Sequence, residues 1–449
     1  MNFYGDQFDA VFTEKIVDAQ TRPLPATTRR DVWLPQVQGK ALAVIGMRRA
    51  GKTTFLWQLM AQRHQAGTPR EGMLYFSFED ERLEGLQSTD LDRLVQTYYR
   101  LHPQWRDQRR AAFFLDEIQL VPGWETFARR LLDSENIDLY LSGSSARMLS
   151  REVASSMRGR ALEAVVTPFS FREMLRHIGH EPAQEWQKLP KAAQSQLAHD
   201  LDLYLQQGGF PEAQGLDTRS RHALLRNHVD VVLLRDVIER HNLSQPQVLR
   251  WMVQQLLGNA AGSFSINKFH ADLKSRGVAV SKDTLHQLLA YLEDAFLLSS
   301  ISIQSSSVRQ KQVNPRKVYP VDTGLIALFD KSGKANTGHA LECAVLHQLQ
   351  RSGAEVGYVH TPAGFEVDFH ARYPDGQQAL IQVCADVSNQ DTLNREVRAL
   401  QDAQQQWPQA QAQLIVLGAM PSGLRGPADI HIIPAAAWLL QDSTTATHS

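Results

Sequence analysis

Gly46, Gly51, Lys52 and Thr53 are spaced to hold a polyphosphate. With Met47, Arg48, Arg49 and Ala50 between the glycines, they fit G-x-x-x-x-G-K-[ST] at every fixed position. Glycines let backbone N–H groups close around phosphate oxygens, and a helix starting at Thr53-Thr54 turns its positive dipole end toward them. In such a loop Lys52 reaches the β- and γ-phosphates and the Thr53 hydroxyl ligates Mg²⁺. The pattern predicts ATP and Mg²⁺ as ligands, with residues 46–54 as the binding loop. The elements that must position it are legible on both sides. Residues 41–45, ALAVI, read as a buried parallel strand, and residues 54–60 read as the start of a helix.

A second pair of groups follows about 65 residues after the loop. Residues 111–117, AAFFLDE, form an apolar run ending in Asp116 and Glu117. A carboxylate at the carboxyl end of a buried strand faces the ligand crevice of an α/β sheet. Asp116 is expected to hold Mg²⁺ through water, and Glu117 to polarise the attacking water. Residues 73–79 read as another strand. Residues 138–145 read as a third after the loop, ending in small polar residues, one of whose hydroxyls could sense the γ-phosphate. Strands alternating with amphipathic helices over 41–150 predict a parallel α/β sheet.

Composition bounds the rest. The chain has 449 residues, enough for two to four domains, and a hydrophobic fraction of 43%, ordinary for a core-forming protein. Net charge is −1, so any nucleic-acid surface must be a local patch. Two cysteines, Cys343 and Cys384, make no disulfide framework and suit a reducing cytoplasm. No signal peptide is evident, and no apolar stretch approaches the roughly 20 residues of a membrane span.

Several motifs together resemble a family. Gly46 to Thr53, the LDEIQ run ending at Gln119, Trp124, LSGSS ending at Ser145, Gly159-Arg160, PFSFRE ending at Glu173 and GGFPE ending at Glu212 follow one another in order. The chain is similar to prokaryotic AAA-type ATPases close to the archaeal ATPase group, over about residues 20–440. The resemblance implies a P-loop AAA+ core over residues 1–170, a helical lid over 171–245, a winged helix over 246–330 and a restriction-endonuclease-like domain over 331–441. It implies Ser144 at the first sensor position. It also implies a homo-oligomer, as in AAA+ rings of six, in which Arg158 or Arg160 serves the nucleotide, in cis or across a subunit boundary. Arg235 is a further candidate phosphate contact, against the plainer reading of a surface arginine.

The appended segments carry weaker chemistry. Over 246–330, three helical patterns precede two short strands bearing Arg309, Lys311, Arg316 and Lys317, four cations within nine positions and no acid. A helix-turn-helix unit with a basic wing suits DNA backbone contact, and the same unit also serves as a docking module for a protein partner. Over 331–441, a helix carrying Glu342, a strand carrying Asp368 and a strand carrying Gln382 resemble the PD-(D/E)xK nuclease-like metal site, where carboxylates gather Mg²⁺ and a lysine activates water. Cys384 stands at the lysine position, which argues against cutting and for a binding or assembly role. Residues 442–449 are expected to be a disordered polar tail.

Overall fold

The structure is a computed structural model. It describes residues 3–35, 37–106, 108–144, 157, 159–305, 314–330, 336–386, 390–418 and 427–441. The chain divides into two compact units, Met1–Thr167 and Pro168–Ser449.

The first unit begins with helix α1 (Phe3–Thr21). Its chain then alternates as β1 (Ala41–Ile45), α2 (Lys52–Gln65), β2 (Met73–Ser77), α3 (Leu91–Leu101), β3 (Ala111–Asp116), α4 (Trp124–Ser134), β4 (Ile137–Gly143) and β5 (Ala161–Val165). The five strands form one parallel sheet in the order β2-β3-β4-β1-β5. Strand β3 is buried at all six positions, which is why its sequence is an unbroken apolar run up to Asp116. Full burial of Phe113 and of Phe114 contributes about 1.5–3 kcal/mol each. Register sets the site. Ile45 pairs with Gly143 and with Val165, and Asp116 pairs with Ser77, so the carboxyl ends of the strands share one edge of the sheet. Strand β5 was not expected from the sequence. It is an edge strand with only Ala164 buried, and its sequence ALEAV gives neither an apolar run nor clean alternation.

The second unit starts with α5 (Phe171–Ile178), capped reciprocally: Ser170 Oγ accepts from the Glu173 amide at 3.1 Å, and Glu173 Oε2 accepts from the Ser170 amide at 2.8 Å. Then come α6 (Lys191–Gln207), α7 (Thr218–Val231) with a π-type turn over Val232–Glu239, and α8 (Pro246–Gly258). Strand β6 (Ser263–Phe264), α9 (Ile266–Ser275), α10 (Lys282–Asp294), β7 (Leu298–Ile301), β8 (Arg316–Pro320) and α11 (Gly324–Phe329) follow, with an antiparallel sheet ordered β6-β8-β7. The last stretch runs α12 (Thr337–Arg351), β9 (Glu355–His360), β10 (Glu366–Arg372), β11 (Gln378–Cys384), α13 (Gln390–Gln404), β12 (Gln411–Val416), β13 (Ile430–Pro434) and α14 (Ala435–Leu439). Its sheet is ordered β13-β12-β11-β10-β9, antiparallel from β9 to β11 and parallel from β11 to β13.

One face of that second sheet packs Leu380, Val367 and Leu414 against Leu393 and Leu400 of α13. The other packs Phe369 and Ile381 against Leu341 and Val345 of α12, and the same core takes in Phe171, Leu201 and Tyr204 from α5 and α6. The helices at 171–207, expected as part of a lid, therefore share a core with the carboxy-terminal sheet. Asp322 ties them further. Its carboxylate accepts from the amides of Gly209 (2.7 Å) and Gly324 (3.0 Å), while Thr323 Oγ1 donates to the Tyr204 carbonyl (3.0 Å). Burial holds the Asp322 carboxyl up to about 6. Among the described residues, no helix is long and apolar enough to cross a membrane.

Candidate functional site

The turn between β1 and α2 is a backbone cradle. Gly51, at φ +100°, caps α2, and Arg49 between the glycines is also left-handed at φ +66°. Gly46 sits at φ +149°, and a Cβ there would lie 2.0 Å from the Val166 carbonyl oxygen, so no larger residue fits without backbone movement. The turn is braced from behind by Arg30, a buried residue. Its guanidinium donates to the carbonyls of Ala50 (3.0 Å) and Thr167, and its amide donates to Gln58 Oε1 (2.8 Å). The lead-in arginine thus holds the loop's shape.

At the mouth of this cradle Lys52 Nζ donates to the Met47 carbonyl at 3.2 Å and lies 4.0 Å from Glu117 Oε1. Lys52 is 5% exposed, so its charge is held in a poorly solvated place. Thr53 Oγ1 donates to Asp116 Oδ2 at 2.9 Å. Two groups that sequence reasoning missed complete the carboxylate's shell. Tyr75 OH donates to the same Oδ2 at 2.9 Å, and Ser142 Oγ donates to Oδ1. The Glu117 amide donates to Ser142 Oγ at 3.0 Å, so one hydroxyl of β4 fixes both acids. Ser144, the expected sensor, is buried just beyond the end of β4. The signal for Ser142 was its place one strand over from Asp116, which only the sheet order supplies.

Glu117 is held in the left-handed region at φ +55°, an uncommon conformation for this residue type. Gln119 Nε2 donates to its Oε2. Burial raises the Glu117 carboxyl above the ordinary range, and the Lys52 charge acts against that rise. Tyr75 is likewise raised, first by burial and then by Asp116, so its hydroxyl stays protonated as a donor. The residues fit a nucleotide with Mg²⁺. A cradle that a Cβ would fill faces a lysine, and a hydroxyl and a carboxylate already sit within hydrogen-bond distance of each other. Tyr75→Phe should weaken apparent Mg²⁺ affinity about tenfold in the presence of nucleotide, because it removes a group that orients Asp116. ATP binding measured in EDTA should not change. A Mg²⁺ titration of nucleotide fluorescence checks both.

The other expected residues are distributed differently. Arg160 precedes β5 beside Ala41, at the sheet edge opposite the loop, roughly 13 Å of strand away. It pairs with Asp133 and does not enter its own chain's phosphate cradle. Arg158 lies outside the described residues, as do Arg309 and Lys311. Arg235 makes an exposed i,i+4 ion pair with Glu239 at 3.1 Å.

Lys317 requires correction. Expected as a solvated wing cation, it is 5% exposed and points into three carboxylates: Glu366 Oε1 at 2.6 Å, Asp368 Oδ1 at 3.1 Å and Glu342 Oε2 at 3.8 Å. Successive side chains of a strand face opposite ways, so Arg316 is half exposed beside Glu293 while Lys317 turns inward. Burial works against its charge, but Asp368, Glu342 and Glu366 together hold its pKa above the usual lysine value. The nuclease-like set is corrected too. Glu342 and Asp368 meet at Lys317, but Gln382 turns elsewhere. Its Oε1 accepts from the Asp368 amide at 3.2 Å and its Nε2 donates to Glu396 at 2.8 Å, which satisfies the amide away from the cluster.

Residues 38–175 match a family model described as an AAA domain, and residues 198–334 match one described as a domain of unknown function, DUF8612. The chain is 29% identical over 399 residues to an uncharacterized protein of Methanocaldococcus jannaschii, covering 88% of this chain and 85% of the relative. It is 29% identical over 336 residues to an uncharacterized protein of Haemophilus influenzae, covering 74% and 79%. Among solved structures, the Walker-type ATPase of Pyrococcus abyssi aligns at 13% identity and TM-score 0.40, covering 71% of this chain and 94% of that one. The Aeropyrum pernix Orc1 protein in complex with DNA aligns at 14% identity and TM-score 0.28, covering 73% and 92%. Over residues 38–175 the chain is similar to AAA domains, in keeping with the parallel β2-β3-β4-β1-β5 sheet of the first unit and the glycine turn between β1 and α2.

Proposed function

We propose that the protein is an oligomeric AAA+ ATPase that couples ATP hydrolysis to action on DNA: remodelling, translocation or processing of branched forms. The observation that carries the ATPase part is the meeting of Thr53 and Asp116 at 2.9 Å, with Lys52 and Glu117 beside them. Mg²⁺, when bound, supplies positive charge to the β- and γ-phosphate oxygens. The chain does the rest. The loop amides and Lys52 hold the phosphates, Tyr75 and Ser142 fix Asp116, and Glu117 takes up the proton of the attacking water. Ser144 and one of Arg158 and Arg160 are proposed to act on the γ-phosphate, the arginine from a neighbouring subunit. A trans role for Arg160 agrees with its place away from its own cradle.

The DNA part rests on the segment 246–330, read as a winged helix in which α9 and α10 lie between β6 and the strands β7 and β8 of one antiparallel sheet. With Lys317 turned inward, its wing keeps Arg309, Lys311 and Arg316. The segment 331–441 is read as a nuclease-like scaffold used for binding or assembly.

A second reading is favoured by that same withdrawal of charge: an ATP-controlled switch whose winged helix docks on protein. ATP turnover measured with and without duplex, single-stranded and branched DNA separates the two. Several-fold stimulation by one DNA form supports the first. Indifference to all of them, with an ATP-dependent change in native mass, replaces it by the second.

A further inference from the structure

The carboxylates Glu342, Glu366 and Asp368 come from α12 and β10, whereas Lys317 comes from β8, a strand of the other sheet of this unit. The lysine is 51 residues upstream of Asp368. Its Nζ donates to two carboxylates and faces a third. Glu366 Oε1 and Asp368 Oδ1 accept from it, Glu342 Oε2 stands 3.8 Å away, and the Tyr358 ring centroid lies at 5.9 Å. The carboxylates are occupied from behind as well. Asp368 Oδ2 accepts from the Val383 amide at 3.0 Å, and the Tyr319 hydroxyl faces Glu342 Oε2 at 3.4 Å. His360 Nε2 lies 3.3 Å from the second oxygen of Glu366. The residues at the positions where a cutting site has its second acid and its lysine take no part, since Gln382 is bound to Glu396 and Cys384 Sγ donates to the Asp386 carbonyl at 3.2 Å.

We infer that the Lys317 ammonium is the resident cation of the Glu342–Glu366–Asp368 cluster, seated where a nuclease-like site gathers a divalent metal. The cluster is then an internal ion site that joins the two sheets of the second unit, and the domain neither takes Mg²⁺ there nor cleaves a phosphodiester. Electrostatics gives the reason. A divalent ion at these carboxylates would face a fixed positive charge in a place with little water to screen it. The carboxylates in turn need a cation, because Glu342 and Asp368, both largely withdrawn from solvent, and the more exposed Glu366 beside them repel each other without one. This goes beyond the ATPase reading and does not depend on it.

The test uses the full-length chain without nucleotide. Mn²⁺ binding is followed by electron paramagnetic resonance in the wild type and in Asp368→Asn. The expected result is the same number of bound Mn²⁺ ions in both. A wild-type ion that Asp368→Asn removes would overturn the inference, as would Mn²⁺-dependent nicking of DNA that the same substitution abolishes. Thermal unfolding supplies the second arm. Lys317→Met should lower the midpoint, and Lys317→Met/Asp368→Asn should recover several degrees, because one of the facing acids is discharged. A double variant no more stable than Lys317→Met would also overturn it. If Lys317→Met does not fold, the wild-type Mn²⁺ comparison still decides. ATP turnover in these proteins is a separate readout, so loss of the ATPase reading and loss of this one are distinguishable.

Discussion

Glu117→Gln should bind ATP and fail to turn it over. The substitution keeps the shape of the side chain and its contact with Gln119, and removes the charge proposed to take a proton from water. General base catalysis is worth about 10²- to 10⁴-fold, so the steady-state rate should fall at least about a hundredfold. The ATP dissociation constant should change little, because the ground-state contacts are proposed for Lys52 and the loop amides. A pH signature comes with it. Burial raises the Glu117 carboxyl, so in the wild type the base is lost by protonation as pH falls through a value above the ordinary glutamate range. The acid limb of the rate profile should therefore sit higher than that of an exposed glutamate, and it should vanish in Glu117→Gln. A wild-type rate in that variant would falsify the assignment of the water-activating group.

Lys52→Ala should weaken nucleotide binding by one to two orders of magnitude, on the order of the loss of a charged hydrogen bond. The ammonium is 5% exposed and is the buried positive charge that faces Glu117 across 4.0 Å. A hydrogen bond to a charged group is worth about 1.5–3 kcal/mol, and each 1.4 kcal/mol is tenfold in affinity. Loss of the contacts to phosphate should thus weaken ATP about 10- to 100-fold in titrations with a fluorescent analogue. A second effect adds to it. Without the ammonium, the largest of the influences that oppose the burial shift on Glu117 is gone, and the carboxyl moves further up. Lys52→Ala should therefore show a more alkaline acid limb in whatever turnover remains at saturating ATP. Binding within threefold of the wild type, checked against the Mg²⁺ titration, would place the phosphates elsewhere than the 46–54 loop.

The phosphate loop was legible because its chemistry tolerates so little change. Gly46 has no room for a Cβ and Gly51 is left-handed, so residue type and spacing report backbone geometry directly. Strands β1 and β3 were legible for a different reason, since both are central and their sequences are continuously apolar. Residue type could not show which groups meet across the sheet. Tyr75 and Ser142 reach Asp116 only because β2 and β4 flank β3, a fact of strand order. The resemblance points to Ser144, just beyond the strand, although the hydroxyl two residues earlier is the one facing Asp116. Lys317 failed in the opposite direction. In sequence it stands in a basic cluster, but a strand alternates its faces, and one position separates a half-exposed Arg316 from a lysine surrounded by acids.

The shared core of the second unit also sets an order of events during synthesis. Every strand of the first unit's sheet lies between residues 41 and 165, so that sheet can close as soon as its own segment leaves the ribosome. Helices α5 and α6 cannot do the same, because Phe171, Leu201 and Tyr204 are covered by side chains as late as Phe369, Ile381 and Ile415. At about 5–20 residues per second, the nascent chain carries that apolar helix pair without its partners for roughly 10–50 s. This interval is when the protein has most need of a chaperone. Translation halted between residues 205 and 369 should leave a finished first unit attached to a sticky, unfinished tail.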